Sequence, residues 1–219
     1  MKTDATNDIA QTPRGRGRPR ARSDDETRVV ILEAARHEFA SSGYAATSME
    51  SVARSSGVST KTLYRLIPNK AALFEAMITD RIDRFTSVVR LSGKENAELQ
   101  SALRDALLVC GELILDGEVI ALQRVILGES DKFPEIAETF YQKAIRRTES
   151  TLGAWLKAQQ ARGLIDIDDA DATAGMLLGM LVFQPQRAVW FGHAPPPDRE
   201  ALERRAAAVA RLFLKGCAR

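Results

Sequence analysis

From Asp24 onward the apolar side chains return every third or fourth residue, and nowhere do they alternate with polar ones over the length of a strand. That period puts them on one face of a helix, whereas a half-buried strand needs a period of two. Long β-branched runs are missing as well, so the chain is predicted to be all-α. The first helix should open near Asp24, with Asp24, Asp25 and Glu26 at the positive end of its dipole, and stop at Gly43. Further helices are expected at about 48–55, 59–66, 69–90, 95–115, 118–128, 134–161, 169–191 and 197–216. Gly93, Gly117, Gly163 and the run Pro195-Pro196-Pro197 punctuate the series.

Composition narrows the class of protein. With 219 residues, 45% of them hydrophobic and 27% charged, the chain can bury a real core. Cys110 and Cys217 are the only cysteines and lie far apart, which reads as two free thiols in a reducing compartment. The N-terminus is polar and basic, so no secretory signal is expected, and Met176 to Phe183 is too short to span a bilayer. A cytoplasmic protein with no membrane partner is the expectation. Charge is unevenly spread: residues 1–22 hold six basic and two acidic side chains, although the whole chain carries only +2. A basic tail on a slightly acidic body points to a polyanionic partner. The tail, residues 1–23, has almost no large apolar side chains and is expected to be disordered when free.

Residues 47–66 carry the most specific pattern. Thr47 and Glu50 are spaced as a capping box, Val52 and Ala53 fall on the inner face, and Gly57 sits in the following turn. Val58 comes next, Ser59 is a second N-cap, and Leu63 and Leu66 face inward. Two helices crossing steeply through so short a turn need a small residue at the crossing and one tolerant of positive φ in the turn. The pattern implies a helix-turn-helix. Ser59, Thr60, Lys61, Tyr64 and Arg65 would then point outward from the second helix, where hydroxyls and a lysine can reach bases and phosphates of a major groove.

A wider set of residues supports this. Ile31-Leu32-Glu33-Ala34-Ala35, Phe39, Gly43-Tyr44, Thr47-Ser48-Met49, Val52-Ala53, Gly57-Val58-Ser59, Thr62-Leu63-Tyr64, Asn69-Lys70 and Leu73-Phe74 together resemble the N-terminal domain of TetR/AcrR-type regulators. The resemblance implies a three-helix DNA-binding domain over residues 24–84, with Thr47, Ser48, Ser59, Thr60, Lys61, Thr62, Tyr64 and Arg65 near DNA and Lys70 on a phosphate. Two departures stand out. Leu66 and Ile67 replace residues that are often aromatic or histidine and phenylalanine in the family, and residues 23–84 hold eight basic against nine acidic side chains. Without a charge surplus, counterion release can add little to DNA affinity there.

Arg14-Gly15-Arg16-Gly17-Arg18-Pro19-Arg20 is the other source of positive charge. Arg-Gly-Arg-Pro resembles the core of an AT-hook, in which Arg16, Arg18 and Arg20 would enter the narrow minor groove of A·T-rich DNA. A solvated basic tail of general DNA affinity is the alternative. Both imply DNA.

Residues 85–219 should form a larger helical domain for effector binding and dimerisation. Arg124 to Ser130, Phe133-Pro134-Glu135 and Phe140-Tyr141 resemble the sensor domain of one TetR subgroup, which implies a bundle whose last two long helices pair with a second chain. Gly175, Gly179, Met180 and Phe183, with Leu202, Val209, Leu212 and Phe213, are the candidates for that interface, an intrachain core being the alternative. Pro185 should kink the first of these helices. Leu108, Cys110, Leu113, Ile114, Phe140, Trp155 and Phe183 are either plain core or the lining of a pocket for a largely apolar effector.

No catalytic constellation, cofactor motif or metal site is expected. His37 and His193 lack partners at ligand spacing, and the acidic cluster Asp166, Asp168, Asp169, Asp171 lacks the glycine and glutamate of a calcium loop, so it reads as a loop and N-cap. The expected function is a homodimeric repressor released from a pseudo-palindromic operator by a small molecule. An architectural A·T binder led by the tail, or a helical enzyme or lipid-binding protein, are the competing readings.

Overall fold

The computed structural model describes residues 22–91 and 98–217, and these residues are all helix and connection. The order is α1 (Asp24–Ala46), α2 (Met49–Ser56), α3 (Thr60–Leu66), α4 (Lys70–Leu91), α5 (Leu99–Ile114), α6 (Gly117–Glu129), α7 (Pro134–Phe140), α8 (Arg146–Ala161), α9 (Ala170–Trp190) and α10 (Arg199–Cys217). Between α7 and α8 the helix passes through a π-helical segment, Tyr141–Ile145. The sequence pattern predicted one helix over 134–161; an extra residue in the turn does not disturb a 3.6-residue period enough to be visible there.

The ends of the helices follow from local chemistry. Ser23 caps α1 in a capping box with Glu26. Gly43, at φ 86°, breaks α1 three residues before its end, where a side chain would be strained. The cap of α2 is Ser48, paired reciprocally with Ser51, and not the expected Thr47 and Glu50. Thr47 instead turns its hydroxyl back onto the Gly43 carbonyl at 2.7 Å, closing the C-terminus of α1. Gly57 adopts the left-handed conformation (φ 68°) that ends α2. Asp169 caps α9 by accepting from the Asp171 and Ala172 amides, as its place in the acidic cluster suggested.

Two hydrophobic cores result. One joins α5, α8, α9 and α10 around Leu103, Leu107, Leu152, Leu177 and Leu181. Here Gly111 lets α10 come close: a Cβ at that position would lie 2.7 Å from Leu202 Cδ1. The other lies beneath the helix-turn-helix and takes Ile31, Phe39, Val52, Leu63 and Phe74 together with Leu122 and Ile126 of α6 and Ile136 of α7. The division expected at residues 84–85 therefore falls inside α4, whose Phe85 already packs in the first core, while α6 and α7 reach back into the second.

The expected kink at Pro185 is met by a neighbouring side chain. A proline inside a helix has no N–H for the carbonyl four residues earlier, here that of Leu181. Arg205 of α10 supplies the missing donors: its guanidinium donates to the Leu181 carbonyl, to the Met180 carbonyl (2.7 Å) and to Gln184 Oε1 (2.7 Å). α9 continues through Pro185 as one helix. Replacing Arg205 by Met should cost about 1–2 kcal/mol in urea unfolding, and less in a Pro185→Ala background, where the new amide satisfies Leu181. Equal losses in the two backgrounds would contradict this pairing.

Candidate nucleic-acid interface and ligand cavity

Helix α3 presents one face to solvent. Ser59 caps it by accepting from the Thr62 amide at 3.0 Å, and its hydroxyl lies 2.8 Å from that of Thr62. Leu63 is fully buried below, so Ser59, Thr60, Lys61, Tyr64 and Arg65 are all exposed. Ser48 is exposed at the start of α2, but Thr47 is 2% exposed and faces inward, which removes it from any surface contact. Tyr64 donates to Glu50 Oε1 across the turn at 3.3 Å. Partial desolvation, and then the Glu50 charge, push the Tyr64 phenol above its ordinary value.

Two cations expected at DNA are engaged elsewhere. Arg65 makes a bidentate pair with Asp24 at 2.6 and 2.7 Å, tying α3 to the first turn of α1. Lys70 turns its ammonium onto the Tyr44 (2.8 Å) and Thr47 (3.0 Å) carbonyls, above the Tyr44 ring at 4.5 Å. A cation on the last carbonyls of a helix is favoured by the dipole, so in this arrangement Lys70 holds the corner between α1 and α2. Arg16, Arg18 and Arg20 lie outside the described residues. Arg22 and Ser23 are described and precede Asp24, the partner of Arg65.

Tyr44 belongs to an aromatic cluster with Phe39 (5.6 Å, stacked), Phe74 (5.5 Å, edge-on) and Phe133 (5.2 Å, edge-on), the last from the start of α7. Helix α6 runs alongside and is fixed to α1 at both ends. In its first turn Glu118 lies 3.0 Å from Arg36. At its last residue Glu129 accepts from the Ala45 amide at 2.7 Å, and its carboxylate fills the space a Cβ at Gly43 would need. Glu129 lies in the stretch Arg124 to Ser130 that resembles a sensor domain, but no local pattern gives it this role, because its partner is 84 residues away.

On its other side α6 walls a cavity of about 580 Å³ between α4, α6, α7, the π-helical segment, α8 and α9. Met77, Ile78, Leu122, Ile126, Leu178 and Val182 give it an apolar lining. Polar exceptions include Arg36, Arg81, Trp190 and the pair Gln123–Gln186, hydrogen-bonded at 2.8 Å and buried. Of the residues singled out by sequence, Leu113, Ile114 and Phe140 line it. Leu108, Cys110 and Trp155 are in or against the first core instead, and Phe183 faces solvent at 55% exposure. Burial pushes the Cys110 thiol up to about 12, so it stays protonated.

The suggested interface residues also divide. Gly175 and Gly179 line the cavity. Leu202 and Val209 are buried against α5 within the chain, and Phe213 packs on the same core, so they are not free for a partner. Met180, Phe183 and Leu212 are exposed, and Met176, one turn before Met180, joins them at 66%. Period alone could not tell a helix's inner face from its outer one when both are apolar.

Residues 31–77 match the family model described as bacterial regulatory proteins, tetR family, and residues 101–216, more than half of the chain, match that of the AefR-like transcriptional repressor C-terminal domain. The chain belongs to the TetR family. Transcription regulation through DNA is the activity of that family. The HTH-type transcriptional repressor ComR of Escherichia coli is 30% identical over 75% of this chain and 77% of its own length. The HTH-type regulator YhgD of Bacillus subtilis is 26% identical over 79% and 88%. Among solved structures, a TetR-family regulator from Mesorhizobium loti superposes with a TM-score of 0.77 at 25% identity, covering 91% of this chain and all of that one. The flavonoid-responsive regulator FrrA gives 0.69 at 28%, covering 89% and 98%. Among the described residues no helix is long and apolar enough to cross a membrane, and no cluster could hold a metal ion.

The Asp24–Arg65 pair, exposed as it is, should add a small pH-dependent contribution at the edge of this TetR-family domain. The hydrogen bonds from Arg65 hold the Asp24 carboxyl below the ordinary aspartate value. A lowered carboxylate adds stability that is complete above about pH 4 and is lost as pH falls through its own lower value. Thermal unfolding followed from roughly pH 6 to pH 2 should therefore separate wild type from Asp24→Asn above about pH 4 and bring them together in acid. Parallel curves throughout would contradict the pair's role.

Proposed function

We propose that the chain is a homodimeric repressor that reads a pseudo-palindromic operator through paired α3 helices and leaves it when a small molecule fills the cavity. The double role of α6 carries this reading. Leu122 and Ile126 are both part of the core beneath the helix-turn-helix and part of the cavity wall. A ligand in the cavity therefore acts on the helix whose two ends hold α1. It shifts the DNA-binding equilibrium only by its difference in affinity for the two arrangements. The repressor label of ComR and the flavonoid response of FrrA support a repressor answering to a small organic molecule.

In this scheme residues 24–84 form the DNA-reading unit and residues 85–219 the effector and dimer unit, with α6 and α7 shared between them. Ser48, Ser59, Thr60, Lys61, Thr62, Tyr64 and Arg65 form the DNA face; Arg65 must trade its Asp24 partner for a phosphate. Met176, Met180, Phe183 and Leu212 give the outer faces of α9 and α10 an apolar surface suited to a second copy. Two-fold pairing matches half-sites about 34 Å apart. The basic tail adds the charge that residues 23–84 lack, entering the minor groove or following the phosphates.

The test is an affinity selection from a random duplex pool at near-physiological salt, with the full chain and with one lacking residues 1–22. A pseudo-palindrome enriched by both is the expected outcome, with a shallower salt dependence for the shortened chain. Enrichment of A·T runs alone, lost with the tail, would replace this reading by that of an architectural protein. On the selected duplex, Tyr64→Ala should cost about 1–3 kcal/mol of binding with the dimer intact. The double variant Met180→Glu, Phe183→Glu should sediment as a monomer, and a wild-type dimer would exclude this face.

A further inference from the structure

Gln123 of α6 and Gln186 of α9 both stand in the wall of the cavity, and both are buried, at 8% and 9% exposure. Gln186 Nε2 donates to Gln123 Oε1 at 2.8 Å, which joins the two helices. The other halves of the two amides, Gln123 Nε2 and Gln186 Oε1, make no further hydrogen bond among the described residues. Nor are they sealed. The unpartnered atoms of this wall that have no surface for a ligand to touch are Arg36 Nε, Arg81 Nε and Trp190 Nε1. Gln123 Nε2 and Gln186 Oε1 keep accessible surface, and the space beside them is the cavity.

Two primary amides joined by one hydrogen bond retain a free N–H and a free carbonyl, whichever of them donates. Within one amide the nitrogen and oxygen are about 2.3 Å apart by standard bond lengths. With the 2.8 Å bond between the amides, the two open atoms are at most about 7 Å apart. They form one subsite, uncharged, with a donor and an acceptor in an apolar lining. The charged side chains of the wall are already answered: Arg36 by Glu118, Arg81 by Asp116 and Glu149 by Arg146. An ionised ligand would lose its hydration with no free countercharge, and a carboxylate would also turn its lone pairs on the free carbonyl. An ether or ketone accepts from the free N–H and leaves the carbonyl unanswered. A ligand amide carries more polar groups than the pair can match. A hydroxyl is the small neutral group that both donates and accepts.

Resting on the reading of this cavity as the effector site, we infer that the effector is an uncharged, largely apolar molecule bearing a hydroxyl, which docks on the Gln123–Gln186 pair and donates to its free carbonyl. The apolar body fills the space lined by Leu122, Ile126 and Leu178. Gln123 follows Leu122 on α6, so the hydroxyl is recognised on the helix that is shared with the core beneath the helix-turn-helix.

Four probes of one skeleton test this on the full chain by calorimetry, the protein being titrated into each: biphenyl, 4-hydroxybiphenyl, 4-methoxybiphenyl and biphenyl-4-carboxylate. The phenol should bind tightest, about three- to tenfold above the hydrocarbon, the range of a single neutral hydrogen bond. The ether, which accepts but cannot donate, should fall short of the phenol by a similar factor. The double variant Gln123→Met, Gln186→Met removes both amides at once and leaves neither unpaired. It should bind biphenyl at least as well as wild type and lose the preference for the phenol. A pair that merely braces α6 against α9 would leave that preference unchanged. An ether that binds as tightly as the phenol, a carboxylate that binds best, or a phenol preference kept by the double variant overturns the inference while the cavity reading stands. Ala144→Leu, which adds bulk to the wall, should weaken every probe that binds. Binding that Ala144→Leu leaves untouched, or no binding by any of the four, contradicts the cavity reading itself and the inference with it.

Discussion

The helix-turn-helix of this protein does not close its own interior. Its three helices supply Ile31, Phe39, Val52 and Leu63 among others, but the core they begin is completed by residues from beyond them. The remaining wall comes from α4, α6 and α7, through Phe74, Leu122, Ile126 and Ile136. Aromatic edges join these layers, Phe74 and Phe133 both standing edge-on to Tyr44. Geometry of this kind is worth about 0.5–1.5 kcal/mol per pair beyond area burial. The position of the DNA-reading helix thus depends on elements that also enclose a cavity.

Polar contacts make that dependence directional. Hydrophobic packing alone would let α6 slide on α1, whereas Arg36–Glu118 at one end and Ala45–Glu129 at the other fix its register. Glu129 reaches the corner that Thr47 and Lys70 close from the opposite side, by bonds to the Gly43, Tyr44 and Thr47 carbonyls. This corner sets the angle between α1 and α2, and with it the presentation of α3. The exposed pair of Arg65 with Asp24 is by comparison a soft contact, easily exchanged for another anion.

Much of this was legible in the sequence because it is local. The helix class, the left-handed turn at Gly57 and the caps at Ser59 and Asp169 follow from residue type and short spacing. So does the outward face of α3, since burying Leu63 leaves Lys61 and Tyr64 outside. Long-range contacts left no such trace. Thr47 looked like the cap of α2 until its hydroxyl found the Gly43 carbonyl, and Lys70 like a phosphate ligand until its carbonyl partners were in view. The cavity lining was half missed for the same reason. Apolar period puts Cys110 and Leu113 inside but does not tell which side is empty, and Trp190 at the end of α9 had no pattern to mark it. Nor could the sequence foretell that Arg205 answers Pro185 from another helix.

Helix α6 belongs structurally to the DNA-reading unit. Native-state hydrogen exchange on wild type and Ile126→Ala tests it most directly, because Ile126 is buried in the second core and lies far in sequence from α1 to α4. Losing its side chain should lower stability by about 2–4 kcal/mol. The amides of Phe39, Val52 and Phe74 should lose protection by the same amount as those of α6 itself. Loss confined to α6 and α7, with α1 to α4 protected as before, would show instead that the DNA-reading helices stand without α6.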